Sequence, residues 1–150
     1  MILVAQHDAN GALGIVINQP LGERPIASLL QAAGANADNV TGSVQLFFGG
    51  PVDPRIGFVV HSAEYHGVNT LDIDGRVALS SGVQILRDIA RGKGPRRSLV
   101  AFGYAGWAPM QLDNELREGA WDVVPEDPAL VFDDDRARVW SDAMARYKPN

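Results

Sequence analysis

Ser98-Leu-Val-Ala-Phe-Gly-Tyr104 runs directly into Ala105-Gly-Trp-Ala-Pro109 and then Met110-Gln-Leu-Asp-Asn-Glu-Leu-Arg-Glu-Gly119. From Leu99 to Phe102 the run is continuously apolar and does not alternate, which is the pattern of a central strand buried on both faces. Pro109 and Gly119 bracket one short helix, because proline fits a first helical turn and glycine ends a last one. A strand at Trp121 to Val124 is expected to follow. Strand, helix and strand in close succession place the chain among α+β folds.

Upstream, Met1 to Ala5 and Leu13 to Ile17 are apolar runs around the turn residues Asp8-Ala-Asn-Gly11, and together they predict a β-hairpin. Pro25 to Gly34 predicts a helix with Ile26, Leu29, Leu30 and Ala33 on one face. Ala35 to Gly42 is small and polar and reads as a loop with room to move. Val44 to Phe48 and Ile56 to Val60 are strands joined across Gly49-Gly-Pro-Val-Asp-Pro54, a segment dense in residues that break regular structure. Val68 to Leu79 carries a second hairpin around Asp72-Ile-Asp-Gly75. Ser80 or Ser81 is positioned to cap a helix that runs to about Arg91, with Val83, Leu86, Ile89 and Ala90 inward and Gly92 ending it. Asp133, Asp134 or Asp135 is positioned to cap a last helix, in which Ala137, Trp140, Ala143, Met144 and Tyr147 fall at helical spacing. The expected architecture is one α+β domain over residues 1–150. Its short β-hairpins form a mixed sheet or small barrel-like core, surrounded by about four helices.

The 150 residues suit one domain, and 46% hydrophobic with 21% charged residues is ordinary for a globular chain. No apolar run approaches the roughly 20 residues that cross a bilayer, and the first residues lack the basic start of a signal peptide. A cytoplasmic protein with no membrane partner is therefore expected. The absence of cysteine excludes disulfides, thiol nucleophiles and cysteine-ligated metals. Net charge is −5, all of it carried by residues 1–75. Such a chain repels a phosphate backbone at long range, which argues against direct nucleic-acid binding. Locally the sign reverses: Arg87, Arg91, Lys93, Arg96 and Arg97 are offset only by Asp88. These five are a candidate patch for an anionic partner, although basic residues also suit the end of the helix they follow.

Motifs for chemistry are few. His61-Ser-Ala-Glu-Tyr-His66 resembles a metal-hydrolase cluster, but its spacing departs from the two histidines at i and i+4 that share a helical face in zinc motifs. It reads as an exposed loop with a solvated histidine pair, and no metal or other cofactor is expected. His7 sits beside a turn without a partner in sequence. No nucleophile elbow occurs, and Ser80-Ser-Gly82 reads as the helix cap. The acids Glu126-Asp127 and Asp133-Asp-Asp135 sit beside helix starts, where carboxylates cap helices and face water. Gly92-Lys-Gly-Pro95 lacks P-loop spacing, and Pro95 removes a donor. Tyr104, Trp107 and Trp121 read first as core aromatics packed closely against Gly103 and Gly106. In the other reading, Asn18, Gln19, Gly49, Gly50, Tyr104, Trp107 and Gln111 converge on a ligand-binding cleft between glycine-rich loops.

Three segments, in order, resemble the signature of the AlgH/YqgE-like family of small bacterial proteins: Gly11-Ala-Leu-Gly-Ile-Val-Ile-Asn-Gln-Pro20, Phe47-Phe-Gly-Gly-Pro-Val52, and Gly103 through Pro125. The resemblance covers nearly the whole chain. It implies the label of transcriptional regulator and supplies no catalytic residue. It also implies a strand and a Pro-Arg-Phe-like segment ahead of Ile2, which this chain lacks; an open sheet edge is expected to follow, and if that edge pairs with a neighbour a homo-oligomer forms that the longer chain need not share. The sequence contains no basic recognition helix. The expectation is a non-enzymatic regulatory or binding protein that acts through a protein partner or a small ligand. The alternative is a ligand-binding module or enzyme using the cleft between the glycine-rich loops.

Overall fold

The structure, a computed structural model, describes residues 1–149. The apolar run around Val100 becomes β8 (Ser98–Trp107), and it is central. One edge of β8 carries β5 (Val52–Ser62), antiparallel along most of its length. The other edge is shared: β4 (Ser43–Phe48) pairs in parallel with Val100–Phe102, and β2 (Gly11–Val16) pairs antiparallel with Ala105–Trp107. β1 (Ile2–Asp8) extends the sheet beyond β2, and β7 (Val77–Ser81) and β6 (Thr70–Asp72) extend it beyond β5. Both predicted hairpins form, β1–β2 and β6–β7. The eight strands make a curled sheet.

One strand lay outside the sequence expectation. Pro20-Leu-Gly-Glu-Arg-Pro25 is β3, paired antiparallel with β4. Its two prolines and one glycine mask it in the sequence, and they are tolerated because β3 is an edge strand whose outer face needs no donors.

Alternation along β8 explains the two-sided burial. Leu99 and Ala101 point into a core with Ile15, Phe47, Val60, Val77 and Phe132. Val100 points the other way, to Val59 and the apolar faces of α1 (Ile26–Ala32) and α2 (Gln84–Ala90). α4 (Pro128–Val131) closes the first core through Val131. Its N-cap is Asp127, whose carboxylate accepts from the Ala129 amide, in accordance with the helix-start role read for that acid. With α3 (Gln111–Arg117) and α5 (Val139–Ala145) there are five α-helices among the described residues, and a 3-10 turn spans Arg136–Arg138.

Three local expectations are corrected. Ser80 and Ser81 do not cap α2: both lie in β7, because Ser80 faces inward onto a buried histidine, and the strand runs on until Gly82 turns it at φ 89°. Helix α2 then starts at Gln84 without a side-chain cap and buries Ile85 and Leu86. Residues Trp121 to Val124 form no strand: they pair with none of the eight, and their side chains are largely outside. The three aspartates 133–135 do not cap α5; Asp133 closes a turn on the Asp135 amide, and the inward face is Val139 and Ala143. Trp140 is 56% exposed, so helical spacing alone misplaced it.

Candidate functional site

Residues read as a cleft are largely occupied by the fold itself. The Asn18 Oδ1 accepts from the Met1 amine at 2.9 Å, and the Gln19 carbonyl accepts from the Phe48 amide at 2.9 Å. Gly49 donates to the Phe102 carbonyl at 2.8 Å and accepts from the Val16 amide at 2.7 Å. Gly50 crosses β8 at Gly103 so closely that a Cβ on Gly103 would stand 2.2 Å from the Gly50 carbonyl oxygen. The backbones fill that space and leave none for a ligand. Gln111, the first residue of α3, is turned back onto the chain before the helix, its Oε1 accepting from the Ala108 amide at 2.9 Å. Tyr104 packs edge-on against Phe58, with centroids 5.9 Å apart.

Trp107 and Trp121 are neither core nor cleft floor. Their rings meet edge-to-face at 6.0 Å, and both indole N–H groups donate to Glu115 Oε1, at 3.4 and 2.9 Å. Trp107 borders a shallow groove of about 240 Å³ with Gln6, Asp8 and Asn10. His7, which had no partner in sequence, finds Asp113 of α3 at 3.1 Å.

His61 is corrected most sharply. It lies at the end of β5, wholly buried, while His66 alone is exposed. The Ser62 carbonyl, 2.9 Å from Nδ1, can only accept, which fixes the ring tautomer with Nδ1–H donating. Nε2 therefore accepts from the Ser80 hydroxyl at 2.7 Å; Ser80 Oγ in turn lies 2.7 Å from Thr70 Oγ1, which accepts from the Gly67 amide at 2.8 Å. Burial lowers the His61 pKa and holds the ring neutral. The Ser80–His61 spacing is that of an activated serine, but both side chains are buried, out of reach of a substrate. The chain of bonds ties β6 to β7 and β5, and its role is structural. Among the described residues no group of three or more His, Asp or Glu side chains is placed to hold a metal.

A second polar cluster joins the β6–β7 turn to the segment after α3. Arg76 Nη2 lies 3.1 Å from Glu126 Oε2 and 3.4 Å from Asp74 Oδ2. Burial, and then the hydrogen bond to Asp74, push Glu126 up to about 7; that bond, donated by Glu126, holds Asp74 down at about 2. The two signs oppose. Asp74 adds stability that is present above the ordinary aspartate range and lost as pH falls towards about 2. Glu126 binds its proton in the folded state, so its contribution is present at acid pH and is lost as pH rises from the ordinary glutamate range through about 7. Between these limits, Glu126→Gln, which keeps a neutral donor, is expected to flatten the decline of melting temperature as pH rises. Parallel wild-type and variant curves would show that the decline has another source.

The basic patch divides. Arg97 turns towards the 132–134 segment, donating to the Phe132 carbonyl at 3.3 Å and lying 3.8 Å from Asp134, and the Arg96 backbone amide beside it donates to Glu64 at 2.7 Å, just past β5. Arg87 and Arg91, one turn apart on α2, instead line a groove of about 450 Å³ with Asn36, Asp38, Asn39, Val40, Thr41, Gln84 and Ala90. Arg87 Nη2 reaches the Asn36 carbonyl at 3.3 Å. Arg91 and Lys93 have no carboxylate within salt-bridge distance among the described residues. The opposite wall is the polar loop after α1, shaped by the Asn36 Oδ1 bond to the Asp38 amide at 2.7 Å and by Asn39 at φ 60°. The sequence marked the arginines as a patch and 35–42 as a loop. Nothing in it linked the two, because β4, β5, β6 and β7 separate them along the chain.

Fold and site define a small α+β domain, curled around one sheet, with a polar groove on the helical face. The chain belongs to the AlgH-like family, whose model matches residues 1–150. It is 41% identical to a UPF0301 protein of Methylococcus capsulatus, over 96% of this chain and 79% of the relative. It is 37% identical to a UPF0301 protein of Gluconobacter oxydans, over 95% of this chain and 76% of the relative. The solution structure of the AlgH protein of Pseudomonas aeruginosa superposes with a TM-score of 0.81 at 37% identity, covering 97% of this chain and 77% of that one. A Corynebacterium diphtheriae protein shares the fold at 20% identity, with a TM-score of 0.69 over 99% of this chain and 76% of its own.

Proposed function

We propose that the protein is a non-enzymatic binding module of the cytoplasm that regulates through a protein partner or a small ligand, and that any effect on transcription is indirect. The observation that carries this reading is the groove between the 36–41 loop and α2, where Arg87 and Arg91 stand without carboxylate partners. The net charge of −5 supports action without DNA reading, because it opposes a phosphate backbone. So do the helices, which run to at most seven residues among the described elements. None of those helices is long and apolar enough to cross a membrane. The reading in which the glycine-rich loops form a catalytic or binding cleft draws less support, since Gly50 and Gly103 are in backbone contact there.

The test is a pull-down of the tagged protein from its own nuclease-treated extract, together with a gel shift on genomic fragments at physiological salt. A stoichiometric protein partner, or a co-purifying small molecule, is the expected result. A sequence-specific shift that survives physiological salt would overturn the indirect reading.

A further inference from the structure

We propose that the groove between the 36–41 loop and α2 binds a small hydroxylated phosphate monoester, of the size of a pentose phosphate, with its phosphate on Arg87 and Arg91. The proposal rests on the binding-module reading above and names the ligand class for that site.

Charge sets the anion. Two guanidinium groups face the groove from successive turns of α2, and neither is within salt-bridge distance of a carboxylate among the described residues. A phosphate monoester is close to a dianion near neutral pH and matches both, whereas a single carboxylate leaves one cation uncompensated. Arg87 lies in the last turn of α2 and Arg91 is its C-cap, an end whose dipole disfavours anions. A half-charge on a two-turn helix is outweighed by two full cations at contact distance.

The opposite wall sets the rest of the ligand. Asn36, Asp38, Asn39 and Thr41 offer amides, one carboxylate and a hydroxyl around Val40, while Gln84 and Ala90 stand on α2 beside the arginines. Asp38 repels a second anion and accepts from a hydroxyl, which orients the ligand with phosphate towards α2 and hydroxyls towards the loop. The groove of about 450 Å³ lies within the usual range for small-molecule sites. Its polar lining suits a polyhydroxylated body better than an aromatic one. Two residues of the wall have positive φ nearby, Asn39 at 60° and Gly42 at 97°, so the loop is held in shape by its turns and by the Arg87–Asn36 bond.

The experiment is an amide-resolved NMR titration of the full chain with ribose 5-phosphate, with ribose and inorganic phosphate run in parallel. Saturable shifts confined to residues 36–41 and 84–91 are expected from ribose 5-phosphate, weaker ones from inorganic phosphate and none from ribose. Arg87→Gln and Arg91→Gln are each expected to weaken binding by about tenfold or more, and Arg91→Gln, which removes no side-chain bond of the fold, does so at unchanged melting temperature, as befits a lost charge-assisted bond. Absence of saturable shifts up to about 10 mM ribose 5-phosphate overturns the proposal, since binding weaker than that has no use for two arginines. Equal binding of ribose, or binding that survives both substitutions, overturns it as well. If the pull-down captures a protein partner while ribose 5-phosphate leaves the spectrum unchanged, the ligand class fails and the binding-module reading stands.

Discussion

Gly103→Ala is expected to destabilise the fold by about 3 kcal/mol or more, enough to remove a large part of a domain stability of about 5–15 kcal/mol. Two effects add at this position. The backbone stands at φ 81°, where a Cβ is strained whatever the space around it. The space is also taken: the new Cβ would meet the Gly50 carbonyl oxygen at 2.2 Å, and that contact is backbone against backbone, so no side chain can swing away. Gly50, at φ 151°, meets Tyr104 in the same way, and Gly50→Ala belongs to the same class. Gly106→Ala, three residues along β8, is the control. Its nearest neighbour is the Tyr104 ring at 3.5 Å and its φ lies outside the left-handed region, so a change within about 0.5 kcal/mol is expected. Urea midpoints of the three variants give the comparison. Equal stabilities of Gly103→Ala and Gly106→Ala would show that the crossing of the β4–β5 link over β8 is looser than described.

Phe47→Ala is the second large effect, expected to cost about 3–5 kcal/mol. Phe47 is 1% exposed and is the largest of the fully buried side chains. It sits on β4 between β3 and β8, opposite Pro20 on one side and Ala101 on the other. Truncation empties the middle of the first core. It also removes the ring beneath Arg136, whose guanidinium carbon lies 5.1 Å from the ring centroid. Arg136 donates to the carbonyls of Val131, Asp133 and Ile17, so it fastens the C-terminal segment to the end of β2. Loss of the ring is therefore expected to raise hydrogen exchange in residues 131–138 before the sheet itself opens. Trp140→Ala is the contrast: a larger ring, 56% exposed, should change stability by no more than about 0.5 kcal/mol. A cost for Trp140 comparable with that for Phe47 would mean that a partner covers α5 in solution.

The Phe47 and Trp140 pair shows how sequence reading succeeds and fails here. Both are large and apolar, and both sit in segments read as regular structure. Phe47 stands in the strand expected from Val44 to Phe48, which forms as β4 and buries it. Trp140 fits a helical stripe, but a stripe states only which residues share a face: α5 buries Ala143 of that stripe, and Val139 rather than Trp140 packs beside it. Ser80 and His61 failed for a related reason. Their polar character predicts exposure, and only a partner nineteen residues away makes burial tolerable.

Sequence by itself determined the class of fold, both hairpins, the centrality of β8 and family membership. The first three are local properties, carried by periodicity, turn chemistry and a continuous apolar run without reference to distant parts of the chain, while membership is carried by the resemblance of the segments Gly11 to Pro20, Phe47 to Val52 and Gly103 to Pro125. Tertiary structure alone decided that Gly50 and Gly103 touch rather than open a cleft, that Arg96 and Arg97 part from Arg87 and Arg91, and that the 36–41 loop faces α2. Each of these depends on how β4, β5 and β8 cross. A crossing is fixed by packing summed over the whole core, which no short stretch of residues encodes.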